Sequence, residues 1–84
     1  MSPTIFKWMG YRFYFFSREE SRIHVHVFCA DGEAKFWLDP EVELAKNYRL
    51  TAKQVKQIEK VIRERKDDII SAWHQYFPGQ SHQR

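Results

Sequence analysis

Arg22-Ile23-His24-Val25-His26-Val27-Phe28-Cys29-Ala30-Asp31-Gly32-Glu33-Ala34-Lys35-Phe36-Trp37-Leu38 is the stretch whose reading decides the fold. Two runs rich in β-branched and aromatic residues flank Asp31-Gly32. That dipeptide favours a two-residue type I′ turn, in which both central positions need positive φ. The pattern predicts an antiparallel hairpin with strands over Arg22 to Cys29 and Ala34 to Leu38. With Asp31 and Gly32 as the loop, Val27 faces Phe36 and Val25 faces Leu38. On the opposite side Phe28 meets Lys35, His26 meets Trp37 and His24 meets Asp39. Side chains alternate across a strand, so Ile23, Val25, Val27, Cys29, Ala34, Phe36 and Leu38 form one apolar face while the two imidazoles share the other. A slip of one residue would mix the two sets.

Working outward, Thr4 to Trp8 and Tyr11 to Phe16 read as two strands joined tightly at Met9-Gly10, where the glycine can take positive φ. The polar run Ser17-Arg18-Glu19-Glu20-Ser21 reads as a loop. Pro40 interrupts the pattern beyond the hairpin, and Glu41 to Ala45 suits a short edge strand, where proline is tolerated. Thr51 with Gln54 three residues on is a capping box. It opens a helix over Ala52 to Phe77 that Pro78-Gly79 ends. Val55, Ile58, Ile62, Ile69, Trp73 and Phe77 lie on one stripe of that helix, away from Lys53, Lys56, Lys60 and Arg63. The expected fold is therefore α+β: a mostly antiparallel four- to five-stranded meander backed on one face by a single long C-terminal helix. Residues 1–77 make one domain and the polar tail 78–84 is expected to be disordered.

An 84-residue chain has room for one core, and a lone cysteine allows no disulfide to support it. Seven Phe, four Tyr and three Trp exceed what one small core can hold, which places some rings on a binding surface. Cys29 shares the parity of Val25 and Val27 and reads as a small buried hydrophobe. No apolar run is long enough to span a bilayer and the N-terminus lacks signal-peptide features, so a cytoplasmic protein without membrane partners is expected. The net charge of +3 is spread unevenly, basic towards both ends and acidic over 31–50. The basic helix face is interleaved with Glu59, Glu64 and Asp67, a solvated salt-bridged surface by its pattern, and is not evidence for RNA.

One helix covers one sheet face, which leaves His24, His26, Phe28, Lys35 and Trp37 exposed on the other, with Asp39 at the strand end. Strand two adds either Arg12, Tyr14 and Phe16 or the alternate set, since both its faces are aromatic, and Arg12 with Tyr14 is the preferred reading. Four roles are open to the histidine pair. It can be a polar patch packed on Trp37 and bonded to Asp39. It can lie in a partner surface anchored by Trp37 and Phe28. It can perform acid–base chemistry on RNA, one imidazole deprotonating a 2′-hydroxyl and the other protonating the leaving oxygen while Arg22 or Lys35 stabilises the phosphorane. It can also bind zinc, but three or four ligands are needed. His74 falls on the solvent side of the helix and His82 in the tail, so no metal and no cofactor is expected.

Pro3-Thr4-Ile5, the run Gly10 to Ser17, His24-Val25-His26-Val27, and the run Gly32 to Pro40 occur in an order and spacing that resembles the bacterial domain-of-unknown-function family 4160. The likeness continues through the helix to Ala72-Trp73. Many members carry two prolines before the His-Val-His-Val motif, where this chain has Ser21-Arg22-Ile23, so the approach loop is expected to differ. Members are often encoded beside a small protein of domain-of-unknown-function family 2442, and some such pairs behave as type II toxin–antitoxin modules with this family as the toxin. The resemblance implies a cytoplasmic toxin neutralised by a cognate antitoxin protein. It supplies no catalytic set beyond placing His24 and His26 in the signature motif. The resulting expectation is a toxin acting on RNA or the ribosome through the helix-free face, with a metal-independent ribonuclease as one form of that activity. The alternative is a non-enzymatic protein-interaction module, and the same face also allows a homodimer.

Overall fold

Alternating apolar and polar residues give five strands in chain order: β1 (Thr4–Trp8), β2 (Tyr11–Tyr14), β3 (His24–Cys29), β4 (Gly32–Trp37) and β5 (Glu43–Tyr48). Two helices follow, α1 (Ala52–Glu64) and α2 (Lys66–Tyr76). The computed structural model describes residues 4–16 and 22–78. The expected loop at 17–21 and all but Pro78 of the expected tail lie outside the described residues. The strands form an antiparallel meander in the order β1-β2-β3-β4-β5, an α+β fold as the patterns indicate.

The two hairpin turns exchange the roles expected of their glycines. Met9 and Gly10 both take positive φ, at 49° and 84°, between the paired residues Trp8 and Tyr11. This is the backbone of a type I′ turn. At the β3–β4 turn the loop is Ala30-Asp31, neither of which has positive φ, and Gly32 pairs with Cys29 inside the ladder. The expected pairing is thus corrected by two residues: Val25 faces Phe36, His26 faces Lys35, and His24 faces Trp37 rather than Asp39. Gly32 is needed for clearance instead. A Cβ placed there would collide with the backbone oxygen of Tyr48 and come within 3.1 Å of the Arg49 Cβ. A shift of two residues preserves side-chain parity, which is why the apolar face survives the correction.

β5 begins two residues later than the expected Glu41 to Ala45 strand and runs on to Tyr48. Val42 instead falls into the core and leaves the strand to start after it. The expected single helix is two. The capping box forms as read: the Thr51 hydroxyl accepts from the Gln54 amide at 3.1 Å, and the Gln54 side chain accepts from the Thr51 amide at 2.9 Å. Gln54 also donates to Asp31 at 3.0 Å and so ties the helix start to the β3–β4 turn. The break comes at Arg65 (φ −113°, ψ 23°), within the charged run Arg63-Glu64-Arg65-Lys66-Asp67-Asp68. That turn offers no apolar side chain to the sheet, so packing does not hold it straight. The Arg65 guanidinium lies 3.8 Å from the centre of the Phe6 ring on β1, a cation–π contact that anchors the bend.

Phe13 and Phe15, Val25 and Val27, and Ala34, Phe36 and Leu38 form the buried sheet side of the core. Ile58 and Ile62 of α1 and Ile69 and Trp73 of α2 close it, as the helical stripe requires. Burying a side chain of this size contributes about 1.5–3 kcal/mol. Cys29 is half-buried against the same cluster. The lysines of α1 and His74 are exposed, and Glu59 pairs with Arg63 at 2.7 Å one turn on.

Candidate functional site

Pairing across the sheet arranges the outer face in rows. One row runs Lys7, Arg12, Phe28, Glu33, Tyr48, and the next Tyr14, His26, Lys35, Lys46. A third contains His24, Trp37 and Glu43. Directly paired residues share a face with their Cβ atoms ~4.5–5.5 Å apart, so each row is a continuous strip of neighbouring residues. Arg12, His26, Phe28, Lys35 and Trp37 all lie here, as expected from parity.

Depth divides the histidine pair. His26 is half-buried with its Nε2 atom out of solvent, and His24 is 0% exposed. Its ring packs edge-on against His26, Trp37 and Trp73, with centroids 5.1, 5.6 and 5.1 Å away. His24 opens β3 at the end of the sheet, and Trp73 of α2 reaches it there. The expectation of two exposed imidazoles on a wholly helix-free face is corrected at this point. His24 Nδ1 lies 2.6 Å from the carbonyl oxygen of Arg22. A carbonyl only accepts, so this nitrogen carries the proton and donates it. His24 therefore fixes the strand end and supports its neighbours, and offers a substrate no surface.

Tyr14 is also buried. It stacks on His26 at 5.4 Å and lies beneath the Arg12 guanidinium at 4.5 Å. Arg12 is held in turn by its Nε donating to the Thr4 hydroxyl at 2.6 Å. Tyr14 thus backs the site rather than presenting a ring to a ligand. Trp37 is half-buried, with Arg22 4.2 Å and Lys35 4.4 Å from its ring centre. The expected bond between His24 and the Asp39 carboxylate is absent from the pairing, because Asp39 lies beyond the strand. Its backbone oxygen accepts from Arg22 Nε at 2.8 Å, and Arg22 also approaches Glu43 at 3.9 Å.

On the outer sheet face the exposed rings include Phe16, Phe28 (49% exposed) and Tyr48 (58%). Tyr48 and Lys46 are not expected at the site because the β5 pattern points to an earlier strand, and Glu33 is not because the expected β4 strand begins at Ala34, one residue after it. The alternation of Leu44, Lys46 and Tyr48 is irregular, and a bulge between Lys35 and Phe36 re-phases it against β4. Phe16, His26, Glu33, Lys35, Lys46 and Tyr48 line a concavity of about 540 Å³ over β3, β4 and β5. The face carries Lys7, Arg12, Arg22, Lys35 and Lys46 against Glu33 and Glu43, a cationic excess interleaved with rings. Among the described residues no group of three His, Cys, Asp or Glu side chains is placed to hold a metal ion, and no helix is long and apolar enough to cross a membrane.

A family model described as Domain of unknown function (DUF4160) matches residues 10–74. The chain belongs to this family. The DUF4160 match spans β2 to β5, all of α1 and most of α2, so the rows from β2 to β5 lie wholly within it while β1 lies outside. His24 and His26 fall inside it together with the residues that bury one and expose the other. No curated protein and no solved structure matches the chain.

Proposed function

We propose that this DUF4160 protein is the toxin component of a cytoplasmic type II toxin–antitoxin module that engages RNA, free or in the ribosome, through its outer sheet face. The observation that carries the reading is the row structure of that face. Exposed rings for stacking bases alternate with Arg12, Lys35 and Lys46, which can meet phosphates. Stacking on aromatic side chains and contact with cations are how open sheets bind single-stranded RNA. A helix-free face of five strands is broad enough for several nucleotides. Neutralisation by a cognate protein, for which the small family-2442 proteins are the candidates, is part of the same proposal.

Cleavage is the narrower version, and the burial of His24 speaks against the form that uses both imidazoles on one phosphate. His26, opposite Lys35 in the pairing, is the remaining acid–base group, with Lys35 as its neighbouring cation. The same burial favours a second reading, a non-enzymatic module that binds RNA or a protein and blocks it. Induction of the protein and of its His26→Ala variant, with purified protein incubated with total RNA with and without chelator, tests these together. Growth arrest and chelator-insensitive cleavage that both disappear in His26→Ala are expected of the nuclease. Arrest without cleavage leaves the binding form, and no arrest on induction refutes the toxin reading.

A further inference from the structure

We infer that the protein forms a two-fold dimer in which the free edge of β5 pairs antiparallel with the same edge of a second copy, Glu43 of each chain opposite Lys46 of the other. This contact lies at the edge of the sheet and not on its outer face, so it is independent of the RNA reading. Of the cations named there it engages only Lys46.

A strand at the end of a sheet keeps one row of backbone groups unpaired, a template for another strand. β5 ends the meander, and every one of its residues is exposed. The carbonyl oxygen of Tyr48 points inward to β4, where a Cβ on Gly32 would strike it. Successive residues of a strand direct their backbone groups alternately to either side, so those of Asn47 point off the edge. Among the described residues α1 and α2 pack on the inner face and bury none of β5.

Charge and face select the occupant. Glu43 opens β5 and Lys46 lies towards its end, with Glu41 before the strand and Arg49 after it, so the edge is acidic at one end and basic at the other. Antiparallel pairing with a second copy sets each acidic half against a basic half, and opposite charges directly across a ladder stabilise it. Glu43 and Lys46 are three positions apart, which in a regular strand would put them on opposite faces. The bulge at Ala45 corrects this. Lys46 pairs with Lys35 and Glu43 with Trp37, both on the outer face, while Leu44 pairs with Phe36 of the core. Glu43 therefore meets Lys46 of the second copy on a shared face, and the exposed Leu44 falls opposite the second copy's Ala45. Within its own chain Glu43 lies 3.9 Å from Arg22, but the side chains are 68% and 41% exposed and such a contact contributes little. Lys46 is exposed and has another cation, Lys35, directly opposite it in the sheet. β1, the other edge, carries Lys7 as its one charged residue, so pairing with itself gains no ion pair. β1 against β5 would be a head-to-tail contact, which makes rings or filaments and not a dimer. In the β5 dimer the helices of both copies lie on one side, and two five-stranded sheets become one continuous outer surface.

The test is sedimentation equilibrium of the full chain. One six-residue strand a side is smaller than the roughly 20–30 residues of a standard stable interface, so reversible association at micromolar concentration is expected. Glu43→Lys alone and Lys46→Glu alone each set like charges in both symmetric contacts, and each should weaken the dimer by roughly tenfold or more. An equimolar mixture of the two single variants restores opposite charges in both contacts, and should form a heterodimer about as tight as the parent dimer. The double variant Glu43→Lys with Lys46→Glu should likewise dimerise as the parent does. Lys7→Glu on β1 controls for charge change at the other edge and should alter nothing. Thermal unfolding of each variant checks that it folds. A parent that stays monomeric up to millimolar concentration overturns the dimer. A dimer that both single variants leave intact overturns the β5 edge as its contact. Single variants that are monomeric alone and remain so when mixed overturn the pairing of Glu43 with Lys46.

Discussion

Replacing Gly32 by alanine should be among the most disruptive single-methyl changes in this protein, although the residue sits beside a hairpin turn where glycine is ordinarily kept for its φ. A Cβ at Gly32 would overlap the Tyr48 backbone oxygen and crowd the Arg49 Cβ and carbonyl carbon at 3.1 and 3.2 Å. Two of these three obstacles are backbone atoms and cannot rotate away. Overpacking of this kind costs about 1–3 kcal/mol, and the rigid neighbours argue for the upper end. For a domain of this size each kcal/mol lowers the unfolding midpoint by roughly 4–8 °C, so Gly32→Ala should lose roughly 10–20 °C. Gly10 supplies the contrast. It has φ +84° and nothing within 4 Å of a built Cβ, so its demand is conformational alone. Asparagine tolerates the left-handed region, and Gly10→Asn should therefore cost under ~1 kcal/mol. Gly32→Asn should be at least as damaging as Gly32→Ala. Circular-dichroism melts of the three variants decide it. A Gly32→Ala midpoint within a few degrees of the parent, or an asparagine tolerated at 32 and rejected at 10, would refute the clearance argument. Because the obstacle belongs to Tyr48, the damage should also appear as chemical-shift changes in β5.

Two further outcomes follow from the same geometry. His24→Ala should cost about 2–5 kcal/mol of stability, since it empties a fully buried site between three rings and leaves the Arg22 carbonyl without its donor, whereas half-buried His26→Ala should cost under ~1 kcal/mol; urea titration of both separates them. Thr51→Ala removes the hydroxyl half of the capping box and should cost about 0.5–2 kcal/mol, with increased amide exchange confined to the first turn of α1.

What could be read from the residues is what local periodicity controls. Parity assigned Val25, Val27, Ala34, Phe36 and Leu38 to the core and His26, Phe28, Lys35 and Trp37 to the outer face, and all of them are there. The capping box and the apolar helical stripe were equally local and are present. What failed depends on contacts distant in sequence. The β3–β4 register was assigned from the turn preference of Asp31-Gly32, but the glycine is held by β5, sixteen residues beyond it at Tyr48. The helix break at Arg65 follows a charged turn and a ring on β1, neither visible in a hydrophobic stripe that simply skips from Ile62 to Ile69. The early placement of β5 hid Lys46 and Tyr48, and with them the far wall of the concavity.

The same distinction governs the histidines. Alternation decides which face a side chain points to, whereas its depth depends on what arrives from elsewhere in the chain. His24 and His26 share a face by spacing alone, yet Trp73, far along the sequence on α2, closes over one and leaves the other half-buried. A signature with two imidazoles therefore need not mean a pair of proton-transfer groups. Here the first histidine ties the Arg22 carbonyl and two tryptophans together, which fixes the start of β3. Tyr14 and that buried ring then hold the second histidine, beside Lys35, at the floor of a cationic concavity. One histidine supplies rigidity to the strand end, and only the other is left as a candidate for chemistry.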